Sequence, residues 1–354
     1  MKKSLCFFCK VKNRAVLDRV EFYANDIRAL RELGYDVRIA TAPSEICAAD
    51  LYFVWWWTWA FYPVSCARLL GRPVIITGVM DLDGLNEKPF WHRKLTAFAL
   101  SQADANIFVS QMEFESVPRE FRVRRARYAP LAVDTAIYKP NGNHRRKLVL
   151  SIGWLKGGNA VRKGMPELIQ AAPLIHREHP EVRFVIAGEK GSYSPVLERM
   201  VRELGAESYV EFPGIISAET KIQLMQQCQV YLQPSRFEGF GLAILEAMSC
   251  GAAVVTSPVG AVPEVIGEAG VMVPSGSPEA IADSVNRLLD EPLLRNSLGA
   301  QARARAESLF AYERRKHELG EVILEVLSGK RCAEAPQPNA GSHDECSEKR
   351  SAQA

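Results

Sequence analysis

Nowhere in its 354 residues does the sequence have an apolar run long enough to cross a bilayer. Leu51 to Ala67, as long an uncharged stretch as the sequence holds, carries Thr58, Pro63 and Ser65 and is flanked by Asp50 and Arg68. It falls short of the roughly 20 residues of a spanning helix, and a strand followed by a buried helix start accounts for it better. A secretory signal is lacking as well: Met-Lys-Lys resembles an n-region, but the apolar run behind it covers only Leu5 to Cys9. The eight cysteines keep no framework spacing, and several sit in apolar runs, so reduced thiols in a cytoplasmic protein are expected. Cys6-Phe-Phe-Cys9 spells C-x-x-C, yet it lies in the opening apolar strand without a second pair, which speaks against redox or metal chemistry. A large excess of one charge is missing too. Residues 1–142 hold 20 Lys/Arg against 15 Asp/Glu, and the remainder 24 against 26, for a net charge of +3. That imbalance suits an acidic substrate or a membrane surface facing the first half, and nucleic acid would need more. No internal repeat of solenoid length is present.

What remains is the composition of a soluble globular protein, 47% hydrophobic and 24% charged, long enough for two domains. Strand and helix patterns alternate almost from end to end. Ser4–Cys9, Tyr35–Ala40, Leu51–Val54, Pro73–Thr77 and Asn106–Ser110 read as strands, and Val20–Leu33 as a helix stopped by Gly34. The polar, Pro- and Gly-containing segment 134–147 interrupts the rhythm and marks a domain boundary, giving domains of 1–142 and 143–311. Strands then resume at Leu148–Ile152, Arg183–Ala187, Tyr209–Phe212, Val230–Gln233, Ala253–Thr256 and Val271–Val273. A helix is expected over Met165–His179, and Ser277-Pro278-Glu279 starts another with a cap, a proline and an acid. A helix at about 312–328 is expected to pack back toward the first domain, and 329–354 reads as a disordered tail. Val- and Ile-rich strands separated by helices predict an α/β fold: doubly wound parallel sheets, one in each half.

The most informative segment runs from Arg236 to Gly251. Two carboxylates, Glu238 and Glu246, are separated by seven residues that include Gly239 and Gly241, and an apolar helical run follows. A glycine turn feeding a helix start offers unpaired amides and the positive end of the helix dipole to an anion. A carboxylate on each side makes no sense for phosphate alone. It makes sense for a ligand with hydroxyls on both sides of its phosphates, as a nucleotide sugar has. The loop leaves the carboxyl end of a predicted parallel strand, where open α/β sheets bind ligands. The plainer alternative is two solvated glutamates around an ordinary turn.

The paired glutamates with their Gly-Phe-Gly insert resemble the signature of the retaining, two-domain glycosyltransferases of family 4. Arg162-Lys163-Gly164, Ala187-Gly188-Glu189, Phe212–Ile216, Ser257–Ile266 and Gly270–Pro274 resemble further segments of that family, so that the likeness covers most of 148–310. It implies the GT-B architecture, two Rossmann-like domains facing across a cleft, and transfer of a sugar from a nucleoside diphosphate sugar to a hydroxyl acceptor with retention of configuration. By position, Glu238 would face the donor sugar, and Lys163, helped by Arg162, would neutralise the leaving diphosphate. Gly239, Phe240, Gly241 and Leu242 would offer amides to diphosphate or sugar, and Glu246 would take the ribose hydroxyls. Gly188, Glu189, Gly214 and Ile215 would lie near the base. No cofactor or metal is implied, since fixed cations and a helix N-terminus can stabilise the charge on the departing diphosphate.

The first half departs from the family. Lys10–Ala15 stands where a Gly-Gly loop is usual, Trp154 where an arginine is usual, with Lys156 as a candidate substitute, and Met80 where a histidine is usual. Asp81-Leu-Asp83 spells the pair that metal-dependent sugar transferases use, but it is far from the donor signature and suits a cleft-edge loop better. Trp55, Trp56, Trp57, Trp59, Phe61 and Tyr62 read as core with one exposed face, the alternative being a platform for a sugar or lipid. Phe90–Lys94 with Arg119, Arg122, Arg124, Arg125 and Arg127 reads as a solvated basic face, with peripheral contact to an anionic membrane as the alternative. His176 and His179 read as surface residues. Two other functions stay open at this point: a GT-B nucleotide-sugar epimerase, and a non-catalytic protein that only binds nucleotide sugars.

Overall fold

The computed structural model describes residues 2–142 and 145–329. The tail from Lys330, Cys332, Cys346 and the side chain of Asp83 lie outside the described residues.

Strands β1 (Ser4–Cys9), β2 (Asp36–Ala40), β3 (Leu51–Trp55), β4 (Val74–Gly78), β5 (Ala105–Phe108) and β6 (Ala126–Tyr128) form one sheet in the order β2-β1-β3-β4-β5-β6. Strands β7 (Arg146–Ile152), β8 (Arg183–Ala187), β9 (Val210–Gly214), β10 (Cys228–Gln233), β11 (Ala253–Thr256) and β12 (Val271–Met272) form the other, in the order β12-β11-β10-β7-β8-β9. Every pairing between strands is parallel. Helices connect most successive strands within each sheet and cover both faces, so the chain folds as two doubly wound α/β units. The physical cause is visible in β1, β3 and β4, whose nearly unbroken apolar runs are buried on both faces. Strand order reverses between β1 and β3 in the first sheet and between β7 and β10 in the second. Crevices at the carboxyl ends of strands open at such reversals.

Side chains in a strand alternate in direction, so residues three apart face opposite ways. Cys6 accordingly packs with Phe8, Tyr52 and Val54, while Cys9 packs with Phe7, Phe53 and Trp55 on the other face. Burial raises the Cys6 thiol to about 12 and the Cys9 thiol to about 11. The C-x-x-C is thus two inert core residues. The helix expected over Val20–Leu33 is Glu21–Glu32, preceded by a short one, Val16–Arg19. Strand β6 has no counterpart in the sequence reading, because three residues amid arginines carry too little alternation to register.

The helix Tyr312–Ser328 crosses back to the first half and packs on Glu21–Glu32. Arg315 lies buried and pairs with Asp26 through two bonds of 3.0 Å, while Lys316 meets Glu32 at 2.9 Å. Val133 is bonded on both sides at the same crossing, its amide donating to the Phe310 carbonyl and its carbonyl accepting from the Tyr312 amide.

Two surface expectations change. Arg127 forks onto Glu325 at 2.6 and 2.9 Å and Arg124 pairs with Asp104 at 3.4 Å, so the arginine-rich segment is partly consumed by structural pairs. His176 is half-buried, stacked on Tyr209 at 3.7 Å, and the side chain of His179 is largely covered beside Asp290, so neither is a surface residue. The tryptophan cluster divides: Trp55 and Trp57 are core, with indole N–H groups bound by Asp26 and Asn106, while Trp59, Phe61 and Tyr62 are exposed. Among the described residues no helix is long and apolar enough to cross a membrane.

Candidate functional site

The site forms where the loops after β7 and β10, neighbours across the reversal of the second sheet, come together. The loop after β7 carries the short helix Gly157–Arg162, then Lys163 and Gly164. Gly164 has φ of +70° and presses on the Pro234 carbonyl, where a Cβ would collide. The Arg236 amide donates to the Arg162 carbonyl at 2.7 Å, and Arg236 pairs with buried Glu167. The two loops are thereby zipped side by side. The loop after β10 ends at Gly241, whose φ of +92° makes it the left-handed start of the helix Leu242–Ser249. The first amides of that helix have no partner within it and sum with its dipole to an electropositive mouth.

At this mouth Lys163 Nζ lies 2.6 Å from Glu238 Oε2. The side chains are only 13% and 9% exposed, so this pair is shielded from water, unlike an ordinary surface salt bridge. Gln233 Nε2 (3.1 Å) and Ser235 Oγ (3.3 Å) donate to the same carboxylate oxygen. Gln233 is itself held by the Tyr231 hydroxyl at 2.8 Å. Three donors on Oε2 fix the carboxylate's orientation and leave Oε1 outside that set.

Glu246, in the second turn of the same helix, is almost fully buried. The Lys221 ammonium meets it at 2.9 Å and lies 3.4 Å from Glu21, which comes from the first half of the chain. The Tyr138 hydroxyl donates to Glu21 at 2.7 Å, and Lys221 Nζ sits 5.0 Å from the Tyr138 ring centroid. Burial pushes the Glu246 carboxyl above its usual range against the opposing pull of Lys221. The alternative of two solvated glutamates is therefore overturned: both acids are buried and each has a lysine as counter-ion.

The other predicted residues are arranged less tightly. Arg162 donates to Asn159 at 2.8 Å, and its guanidinium lies 5.8 Å from the Phe237 ring, beside the Lys163 loop. Gly239 and Gly241 are buried, Leu242 is half-buried, and Phe240 turns its ring into the core against Phe310, so only its backbone faces outward chemistry. Gly188 directly follows β8, its amide donating to the Gly214 carbonyl at 2.9 Å. Glu189 pairs with Lys156 at 2.7 Å and Ile215 is 66% exposed, so these four form a rim beyond β8 and β9. Lys156 is spent on Glu189, and exposed Trp154 lies at the same rim; neither supplies a cation at the glycine turn. Sequence reasoning missed Lys221, Glu21, Tyr138, Gln233 and Ser235. Only Gln233 and Ser235, polar residues at the end of an apolar strand, left any local signal.

The first half closes the other side. A Cβ on Gly239 would run into Val79, so the loop after β4 reaches the glycine turn directly. Beside Val79 is a cavity of about 220 Å³ lined by Trp56, Trp57, Thr58, Met80, Asp81 and Thr96, among others. The buried Thr96 hydroxyl has no hydrogen-bond partner. Asp81 accepts the Gly84 amide at 3.0 Å at the start of the short helix Leu82–Asn86, so the segment expected as a cleft-edge loop is a helix start beside this cavity. Glu264 reaches across from the second half, accepting the Gln111 amide at 2.7 Å and the Tyr128 hydroxyl at 2.6 Å.

The loop after β4 is held by buried Glu113, which accepts the Met80 amide at 2.9 Å. Burial, with Glu264 nearby, pushes the Glu113 carboxyl up to about 8. The folded protein then keeps a proton that the unfolded chain releases above its ordinary carboxyl pKa. Stability contributed by this group is full below about pH 4.5 and is lost as pH rises toward 8. Glu113→Gln keeps the acceptor for Met80 and removes the titration. Its stability relative to wild type should rise between pH 5 and 8, by about 2–4 kcal/mol if the whole shift is felt. Melting curves of both proteins at the two pH values measure this, and a difference independent of pH would disprove it.

Comparison with known proteins gives these features a context. Residues 135–305 match the family described as glycosyl transferases group 1. The chain is 26% identical over 295 residues to the alpha-D-kanosaminyltransferase of Streptomyces kanamyceticus, covering 75% of this chain and 74% of that enzyme. Other curated relatives are matched over a smaller part, and the chain spans 44–50% of the length of three of them. In fold it is similar to sucrose-phosphate synthase from Thermosynechococcus elongatus, with a TM-score of 0.78 at 17% identity over 93% of this chain and 100% of that one. It is also similar to Anabaena Alr3699/HepE in complex with UDP-glucose, with a TM-score of 0.73 at 18% identity over 91% and 100%. The family match and the relatives support a glycosyltransferase, and the shared architecture is that of the GT-B fold.

Proposed function

We propose that the chain moves a sugar from a nucleoside diphosphate sugar, held at the glycine turn of residues 143–311, to a hydroxyl acceptor bound by residues 1–142. The observation that carries this is the Lys163–Glu238 pair, 2.6 Å apart at the mouth of a helix whose first amides are unpaired. Breaking the bond between the anomeric carbon and the phosphate oxygen leaves negative charge on the diphosphate and positive charge on the sugar. Lys163 and the amides of 239–242 offset the first, and the fixed carboxylate of Glu238 the second. Arg162 stands beside Lys163 as a second cation. A relative bound to UDP-glucose and others named as GDP-mannose-dependent support a nucleotide-sugar donor.

Retention, as in family 4, fits Glu238 as a stabiliser rather than a covalent nucleophile. A departing phosphate oxygen then takes the acceptor's proton on the face that it leaves. The 220 Å³ cavity beside Val79 is the seat proposed for the acceptor, since it opens next to Gly239 and carries an unsatisfied buried hydroxyl. Gly188, Glu189, Gly214 and Ile215 would border the base. Reduced thiols and a nucleotide-sugar donor fit a cytoplasmic location. Contact with an anionic membrane would fall on exposed Phe90 and Trp91 beside Lys94.

A thermal-shift screen against UDP, GDP, ADP and their sugars, followed by transfer of labelled sugar to mixed acceptors, tests the proposal. A nucleotide-sugar-dependent rise in melting temperature with transfer is the expected result. A shift with isomerised donor and no acceptor would point instead to an epimerase, and binding without turnover to a non-catalytic protein. No shift with any nucleotide would overturn the site itself.

A further inference from the structure

Glu246 is almost fully buried, and its surroundings come from three separate parts of the chain. Lys221 stands on the helix Ala218–Gln227, Tyr138 on the segment joining the two sheets, and Glu21 at the start of the helix Glu21–Glu32 in the first half. Lys221 Nζ bridges the carboxylates of Glu246 and Glu21 at 2.9 and 3.4 Å. We infer that Lys221 is a positioning residue that keeps Glu246 an unprotonated acceptor for the two ribose hydroxyls of the nucleotide, with Glu21 tying that carboxylate to the first half. The inference rests on the donor assignment above and adds to it the device that makes Glu246 usable.

The physical ground is desolvation. A carboxylate taken out of water favours its neutral form unless a counter-ion stays with it. Glu246 has one such neighbour in Lys221, and a like-charged one, Glu21, that works the other way. Burial works against the Lys221 ammonium as well, and its two carboxylates outweigh this, so its pKa is raised and it remains charged. The other titratable groups facing Glu246 stay neutral near pH 7. Burial raises the Tyr138 and Tyr231 hydroxyls, and it raises the Cys250 thiol to about 12. A carboxylate can accept from both hydroxyls of a vicinal diol, whereas a protonated carboxyl has one oxygen turned into a donor. Without Lys221, burial and Glu21 would act on the acid unopposed, favouring its neutral form at the expense of that double acceptance.

The test uses the full-length protein and compares binding of UDP, GDP and ADP with that of their 2′,3′-dideoxy analogues. Wild type should prefer the ribonucleotide that it binds by about 10- to 100-fold, evenly from pH 6.5 to 9. Lys221→Met should reduce that preference to near unity at pH 6.5 and regain it as pH is raised. Lys221→Arg should restore it throughout. Glu21→Gln/Lys221→Met, which removes both charges together and so leaves less imbalance in the fold, should regain the preference at a lower pH than Lys221→Met alone. A residue with only a structural role would weaken both ligands alike, with no pH dependence. A Lys221→Met protein that kept the ribose preference at pH 6.5 would overturn the inference and leave the donor site standing. A wild type that bound none of the three nucleotides would overturn both.

Discussion

Lys163→Ala should lower kcat for sugar transfer by about 10²–10³-fold, the usual cost of losing one fixed donor aimed at developing charge. The effect has two sources. One is the cation lost from the leaving diphosphate. The other is Glu238, left with only Gln233 and Ser235 as donors in a site where its side chain is 9% exposed. An uncompensated carboxylate there repels the diphosphate. Glu238→Ala should cost at least as much, because the stabiliser of the sugar cation is gone. Lys163→Ala/Glu238→Ala should fall well short of the product of the two single losses, since residues that act as a unit are not additive. Rates with saturating donor and acceptor measure this cycle. Single variants with wild-type rates would remove the pair from the chemistry, and fully multiplicative losses would show that the two act separately.

The largest stability effect is expected at Arg315. Its side chain is 1% exposed and pairs with Asp26 through two 3.0 Å bonds, and it also donates to the carbonyls of Ala129 and Pro130. Asp26 in turn accepts the Trp55 indole at 3.1 Å. Arg315→Ala strands a buried carboxylate and two carbonyls at once, which costs about 3–5 kcal/mol. Replacing both partners by apolar residues, as in Asp26→Leu/Arg315→Met, should recover much of that loss, because no charge is then left unpaired. The helix Tyr312–Ser328 is what Arg315 fastens to the first half. Limited proteolysis of Arg315→Ala should therefore cut near residue 311 well before the rest of the chain. A variant with an unchanged melting temperature and cleavage pattern would show that Lys316, Arg127 and the Val133 backbone bonds hold the helix without it.

The parts of this protein legible in the sequence are those set by neighbours along the chain. Strands β1, β8 and β11 lie where Val, Ile, Phe and Cys runs place them, because a strand buried on both faces must be apolar throughout. The Ser277 cap, whose hydroxyl accepts the Ala280 amide at 3.2 Å, and the left-handed Gly241 were equally local. So was the spacing of Glu238 and Glu246, which puts one acid before the helix and the other inside it. Neither the three-residue β6 nor the short helix Val16–Arg19 carries enough period to stand out.

Sequence alone determined two wound sheets, a glycine turn at a helix start and two acids around it. Only the tertiary structure gave those acids their partners. Lys163 reaches Glu238 across 75 positions because β7 and β10 are neighbours in the sheet, and Lys221 draws Glu21 toward Glu246 across 200. Hydrophobic period fixes which face of an element turns inward, but not which elements lie side by side. The burial that takes water from a carboxylate, and the lysine that keeps it charged, therefore came into being only when distant segments packed together.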